Sequence, residues 1–166
     1  MTVDKVIVRD GIEVRHYIVK NPSTLIIQIT DKCRDFGELD KSTKKAAGVF
    51  KIKFDDEEVE HLGITAEQAN DIWKFIQEHL DKNEHIDTIV CSCDGGVSRS
   101  AGLAAAILMK FKGDDTEIWS DAEFAPNKLV YKRMCDAMGV AITQDDIYDK
   151  EMINIKAFRK SEGLDD

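Results

Sequence analysis

Thr88-Ile-Val-Cys-Ser-Cys93-Asp-Gly-Gly-Val-Ser-Arg99-Ser100-Ala-Gly-Leu-Ala-Ala-Ala-Ile-Leu-Met-Lys110 reads in three parts. Ile89 and Val90 are β-branched and apolar, between Thr88 and Cys91, which predicts a short buried strand. Gly95 and Gly96 predict a tight loop, because glycine takes positive φ without steric cost. From Ser100 onward the residues are strong helix formers, and the run stops at Gly113, a natural C-cap. A strand, a glycine loop and a helix that follow directly on one another turn successive backbone N–H groups, and the positive end of a helix dipole, toward one concavity. Such a concavity is an anion site suited to phosphate.

Two side chains give this anion site a chemistry. Cys93 opens the loop and Arg99 closes it, with five residues between them. A thiol placed at a helix N-terminus beside a guanidinium is favoured as the thiolate, which is the nucleophilic form. The planar fork of Arg99 matches two phosphate oxygens. Ser100 follows, with a hydroxyl that can donate to the sulfur when the thiolate leaves.

Cys93-Asp-Gly-Gly-Val-Ser-Arg99-Ser100 resembles the Cys-x5-Arg-Ser/Thr phosphate loop of the protein tyrosine phosphatases, and most of all their dual-specificity branch. The resemblance implies an α/β fold with a central, mostly parallel sheet flanked by helices. It implies a phosphocysteine mechanism with Cys93 as nucleophile, Arg99 as phosphate ligand and Ser100 as helper. The backbone N–H groups of Asp94, Gly95, Gly96, Val97, Ser98 and Arg99 would hold the phosphate oxygens. No metal or cofactor is implied. The ligands implied are a phosphorylated protein or a small phosphoester, with inorganic phosphate or sulfate able to occupy the loop. One position departs from the family pattern: Ser92 stands where histidine is usual, and serine hydrogen-bonds without carrying charge. The family also has a general-acid aspartate on the loop after the preceding strand. Matched to Phe54-Asp55-Asp56, it falls on Asp56, with Asp55 one register away. A plain reading of Asp55-Asp56-Glu57-Glu58 is a solvated acidic loop. Asp55 itself is expected to face solvent.

Outward from the loop, the rest of the chain fits one α/β domain over residues 1–166. A first strand is expected over Val3–Arg9, then a turn at Asp10-Gly11. The residues up to Tyr17 fit a strand or a short helix. Thr24-Leu-Ile-Ile-Gln-Ile-Thr30 is β-branched, uncharged and expected to be a buried strand. Asp31 to Lys45 is polar and irregular, and Val49 to Phe54 alternates as a strand covered on one face. Thr65-Ala-Glu-Gln68 is a capping box that opens a helix with Ala69, Ile72, Trp73, Ile76 and Leu80 on its apolar face. Asp114 to Ala125 is a polar connection holding Trp119 and Phe124. A helix with Pro126 in its first turn carries Leu129, Val130, Met134, Ala137 and Met138 inward and stops at Gly139. The Pro126-Asn127 opening also resembles a stretch downstream of the phosphate loop in the dual-specificity branch. A last amphipathic helix spans Thr143 to Lys160, with Ile147, Met152, Ile155 and Phe158 on its apolar side. Ser161 to Asp166 is a frayed tail.

Composition narrows the function classes. The net charge of −9 argues against nucleic acid, whose binding requires neutralising phosphates with Lys and Arg. It also predicts a local positive pocket around Arg99. The loop itself has no lysine and carries Asp94, which argues against inositol polyphosphates. No stretch is apolar enough to span a membrane, and no basic-then-apolar secretory pattern opens the sequence. Four cysteines do not make a disulfide scaffold, so reduced thiols and a cytoplasmic location are expected. Cys91 and Cys93 are expected on opposite faces, which would leave Cys33 either as the thiol to resolve an oxidised Cys93 or as a plain loop thiol. His61, His79 and His85 lack metal-ligand spacing and are expected at the surface. Two rivals to the phosphatase stand: a catalytically silent phosphate-binding module, and a redox or sulfur-transfer enzyme using Cys91 and Cys93.

Overall fold

The computed structural model describes residues 1–164. Four parallel strands form one sheet: β1 (Thr2–Arg9), β2 (Thr24–Thr30), β3 (Gly48–Lys53) and β4 (His85–Ser92), in the order β1-β4-β2-β3. The sheet is parallel throughout. The central strands β4 and β2 carry the uncharged apolar runs, and Leu25, Ile26, Ile27, Ile29, Ile89 and Val90 are buried. Each such side chain stabilises the fold by about 1.5–3 kcal/mol relative to exposure. The two edge strands carry the charges, Asp4, Lys5 and Arg9 on β1 and Lys51 and Lys53 on β3, which discourages pairing with other chains.

Alternation along the strands divides the core in two. Leu25, Ile27, Ile29, Ile89 and Cys91 face the helices: α1 (Ala66–Asn83), α2 (Arg99–Lys112), α3 (Thr116–Trp119), α4 (Lys128–Ala137) and α5 (Gln144–Ser161). Ile26 and Val90 face the other way, with Val14 and Val19. That face is covered by 3-10 turns at Glu13–His16 and Lys41–Lys45. The segment after Gly11 is therefore a short helix, not a strand, and Lys41–Lys45 is ordered within the run expected to be irregular.

The capping box of α1 is present, with the Gln68 amide donating to the Thr65 hydroxyl at 3.1 Å and the Thr65 amide donating to Gln68 Oε1 at 3.0 Å. Other expectations shift. β4 begins three residues before Thr88, at His85. Pro126 lies before the N-cap of α4, which is Asn127, so it is not in the first turn. Tyr131 and Cys135 join its buried face. On α5 only Ile147 is buried, while Ile155 and Phe158 are exposed, so the apolar side expected there is largely unburied. Ser161 is the last residue of α5 rather than tail, and residues 165–166 lie outside the described residues.

The expected polar connection after α2 contains α3 and a fully buried Trp119. Its burial follows from Asp115, which is itself buried. Asp115 Oδ2 accepts from Trp119 Nε1 at 3.1 Å and from the Tyr131 hydroxyl at 2.7 Å, and Oδ1 pairs with Lys150 Nζ at 2.6 Å. One carboxylate thus joins α3, α4 and α5. Burial pushes the Tyr131 hydroxyl pKa well up, and donation to Asp115 pushes it further. Asp115→Ala leaves Lys150 without its partner at a site where its side chain is 17% exposed. We expect a loss of roughly 3 kcal/mol, the lower end for breaking a buried pair. Urea unfolding measures it, and a change below 1 kcal/mol would show that the cluster contributes little.

Candidate active site

The loop between β4 and α2 lies at the C-terminal edge of the sheet, where parallel α/β proteins hold their ligands. Its shape follows from close packing. Gly96 has φ +64°, and a Cβ there would meet the Asp10 backbone at 2.8 Å, so only glycine fits. Gly95 is not at positive φ. The Gly11 amide donates to Asp94 O at 3.2 Å, Ala125 N to Val97 O at 3.0 Å, and Asn127 N to Ser98 O at 3.0 Å. The loop is thus held from outside through its carbonyls. Among the described residues, no N–H of residues 94–98 donates to a protein acceptor.

Cys93 is buried, with Sγ 2.9 Å from Ser100 Oγ and 3.4 Å from the Ser100 amide. The sulfur therefore sits at the N-terminal end of α2, where unpaired N–H groups and the helix dipole favour negative charge. Cys91 and Cys93 belong to one core cluster, contrary to the expectation that they diverge. Residues two apart on a strand share a face. All four cysteines are free, and burial pushes the Cys91 thiol pKa far up, with Cys93 adding to the effect. Ser92 lies on the other face and donates to Ile27 O at 3.2 Å.

Arg99 is buried with its ends held differently. Nη1 donates to Phe54 O at 2.7 Å and pairs with Asp31 Oδ1 at 2.8 Å. Nη2 pairs with Asp94 Oδ2 at 3.2 Å, and Nε is buried without a partner. Asp94 is pinned in turn by the Thr30 hydroxyl, 2.8 Å from Oδ1. Two carboxylates thus offset the guanidinium, and the positive pocket expected around Arg99 is not what the chain builds. The roles of Asp31, of Phe54 O and of the Asp94 side chain were not legible from sequence. Asp31 opens a polar run without periodicity, and no local pattern pairs the Asp94 carboxylate with Arg99.

The structure separates the two aspartates. Asp56 Oδ1 accepts from Ser98 Oγ and Asn127 Nδ2, both at 2.8 Å, which brings this carboxylate to the loop. Asp55 is half-buried, not turned to solvent, and accepts from the Lys32 amide at 3.0 Å. Asn127 also donates to Glu57 O and caps α4 by accepting from Val130 N at 2.9 Å. Glu58 pairs with Lys128. The acidic run is therefore seated on the start of α4 and is not a free loop. Gly102 permits this: a Cβ there would meet Asn127 O at 2.6 Å. No group of His, Cys, Asp and Glu suited to hold a metal ion occurs among the described residues. No helix among them is long and apolar enough to cross a membrane.

Comparison with solved structures finds human DUSP28 at 11% identity and TM-score 0.46, covering 96% of this chain and 95% of that one. A human tyrosine phosphatase-like serine/threonine/tyrosine-interacting protein matches at 17% identity and TM-score 0.48, covering 78% and 82%. Tk-PTP in its active form matches at 14% and 0.43, covering 94% and 93%. No curated protein matches the chain. The family model of the Rit1 DUSP-like domain matches residues 65–154, which contain α1, β4, the whole loop from Cys93 to Arg99, and α2 to α4. Those residues are more than half of the 166, and the chain belongs to the Rit1 DUSP-like domain family.

Proposed function

We propose that the chain is a cysteine-dependent phosphatase acting in the cytoplasm on phosphomonoesters, including phosphotyrosine and phosphoserine or phosphothreonine in proteins. The observation that carries this reading is the Cys93 sulfur at the N-terminus of α2, 2.9 Å from Ser100 Oγ, beside a loop whose N–H groups lack protein acceptors. In this reading Cys93 attacks phosphorus in line and the ester oxygen leaves. The N–H groups of residues 94–99 and the Nε/Nη2 edge of Arg99 hold the equatorial oxygens as charge spreads over them. Nη1 stays on Phe54 O and Asp31, which fixes the plane of the fork. Asp56 gives its proton to the leaving oxygen. Both of its donors meet Oδ1, which leaves Oδ2 to carry that proton. Water then attacks the phosphocysteine with Asp56 as base, and the Ser100 hydroxyl donates to the departing sulfur. No cofactor takes part. Release of nitrophenol from p-nitrophenyl phosphate by the purified chain tests the reading directly.

One observation favours a second reading, a phosphate-binding module that does not hydrolyse. Ser92 stands where the resembled family has histidine, and its hydroxyl donates to Ile27 O on the other face of β4, so it brings no charge to the Cys93 sulfur. The family is named after initiator tRNA, so an RNA phosphate is a ligand to test. A groove of about 600 Å³ beside β1 offers Lys5, Arg9, Lys20 and Tyr17 for such a ligand, against Glu13 and Asp87. Salt-sensitive RNA binding without release of nitrophenol would favour this reading over the first.

A further inference from the structure

Behind the loop, on the sheet face away from the helices, lies a second cavity of about 260 Å³. It is reached from the C-terminal ends of β2 and β4 and shares Ser92 and Asp94 with the segment that forms the loop. At that end it presents acceptors. Gln28 is buried, and its amide Nε2 donates to Gly37 O at 3.1 Å, which fixes the orientation of the amide. Gln28 Oε1 is left buried with no donor. A buried acceptor in that state is destabilising unless a donor reaches it. Asp94 accepts one bond on each oxygen, from Thr30 and Arg99, and a carboxylate has about four lone-pair sites.

Donors line the same cavity. Arg15 uses Nε on Glu38 O at 2.9 Å, and Arg34 approaches Asp31 only at 4.0 Å through its Nε. The Nη groups of both arginines have no protein acceptor among the described residues. The other carboxylate of the cavity, Asp35, is exposed and 3.8 Å from Lys53. The cavity therefore asks for a ligand with hydroxyl donors for Gln28 Oε1 and Asp94, and an anion with several oxygens for two guanidinium forks. Orthophosphate carries its P–OH donors on the same phosphorus that the guanidinium forks would hold, whereas a polyol carries hydroxyls apart from its phosphate, and an ionised acidic side chain is acceptor-only. The volume is below the ~300–1,000 Å³ of sites for drug-sized ligands, which suits one ring and one charged group.

We propose that this cavity is a binding site for a phosphorylated polyol of sugar-phosphate size, separate from the phosphate loop. Its hydroxyls donate to Gln28 and Asp94 and its phosphate sits on Arg15 and Arg34. The test is titration of the full ¹⁵N-labelled chain with glucose 6-phosphate, followed by NMR. Glucose, orthophosphate and a doubly phosphorylated peptide are titrated in parallel. Glucose 6-phosphate should shift the Gln28 side-chain amide and the Ser92 amide, and should bind more tightly than glucose or orthophosphate. Arg34→Ala, at an exposed side chain, should weaken it about tenfold, the scale of one lost charge-assisted contact. Gln28→Met should remove the preference for the sugar phosphate over orthophosphate. Shifts confined to residues 94–99 would place the ligand in the loop alone and overturn the proposal. Equal affinity for orthophosphate, or tighter binding of the peptide at the same residues, would overturn it as well. The titration is repeated with Cys93→Ser, which keeps glucose 6-phosphate intact, so the readouts stand or fall apart from the phosphatase reading.

Discussion

Cys93→Ser is expected to abolish release of nitrophenol from p-nitrophenyl phosphate while leaving phosphate binding in place. Removing the nucleophile of a covalent mechanism lowers kcat on the order of 10⁶-fold in a serine protease studied this way. A loss of that size falls below detection in an ordinary assay. The binding part of the expectation has a separate cause. The serine side chain is nearly isosteric, and Arg99 and the N–H groups of the loop are unchanged. Arg99→Ala should behave differently. It removes a transition-state ligand, which is typically worth about 10³–10⁵ in phosphoryl transfer, and it weakens phosphate binding too. It also leaves Asp31 and Asp94 without their cation, so its stability must be measured alongside. Arg99→Lys retains the charge without the fork and separates the two effects. A wild-type chain that binds phosphate but never turns over the ester would sink the phosphatase reading and leave the binding module. Turnover that survives Cys93→Ser would remove the phosphocysteine step.

Asp56→Asn should carry a leaving-group signature. A phosphotyrosine ester expels a phenolate whose conjugate acid has a pKa of about 10, so protonation in the transition state matters. General-acid catalysis is worth roughly 10²–10⁴-fold, and a nitrated phenol needs little of it. The variant should therefore slow a phosphotyrosine peptide far more than an activated aryl phosphate. Asparagine can still accept from Ser98 and Asn127 through its amide oxygen, so the loop should keep its geometry. Asp55→Asn should show no such effect, since Asp55 holds the Lys32 amide and not the loop. A signature on Asp55 in place of Asp56 would move the general acid by one register. Equal effects on both substrates would leave Asp56 a purely structural acceptor.

The placement of Cys93, Arg99 and Ser100 around one loop was legible because the loop is local. Strand, turn and helix follow without interruption, and each is specified by neighbours in sequence. The capping box at Thr65 is local in the same way. Trp119 was not legible as core, because its burial depends on Asp115 meeting Tyr131 and Lys150 from two other helices. The exposure of Ile155 and Phe158 was missed for the matching reason. Helical periodicity shows that a face is apolar, not that another element covers it.

What the sequence determined by itself is the α/β class, the buried central strands and the candidate nucleophile and arginine at the ends of one loop. These depend on period, turn chemistry and spacing along the chain. The tertiary structure alone decided which acidic residues attend that loop. Asp31 comes from the end of β2, Asp56 from beyond β3, and Asn127 from the cap of α4, and all three converge only when the sheet is assembled. It also decided that Arg99 is charge-balanced, and that Gln28 faces a cavity with an acceptor unpaired. Hydrogen bonds and ion pairs of this kind act over a few ångströms between residues far apart in sequence, and no local pattern encodes such a distance.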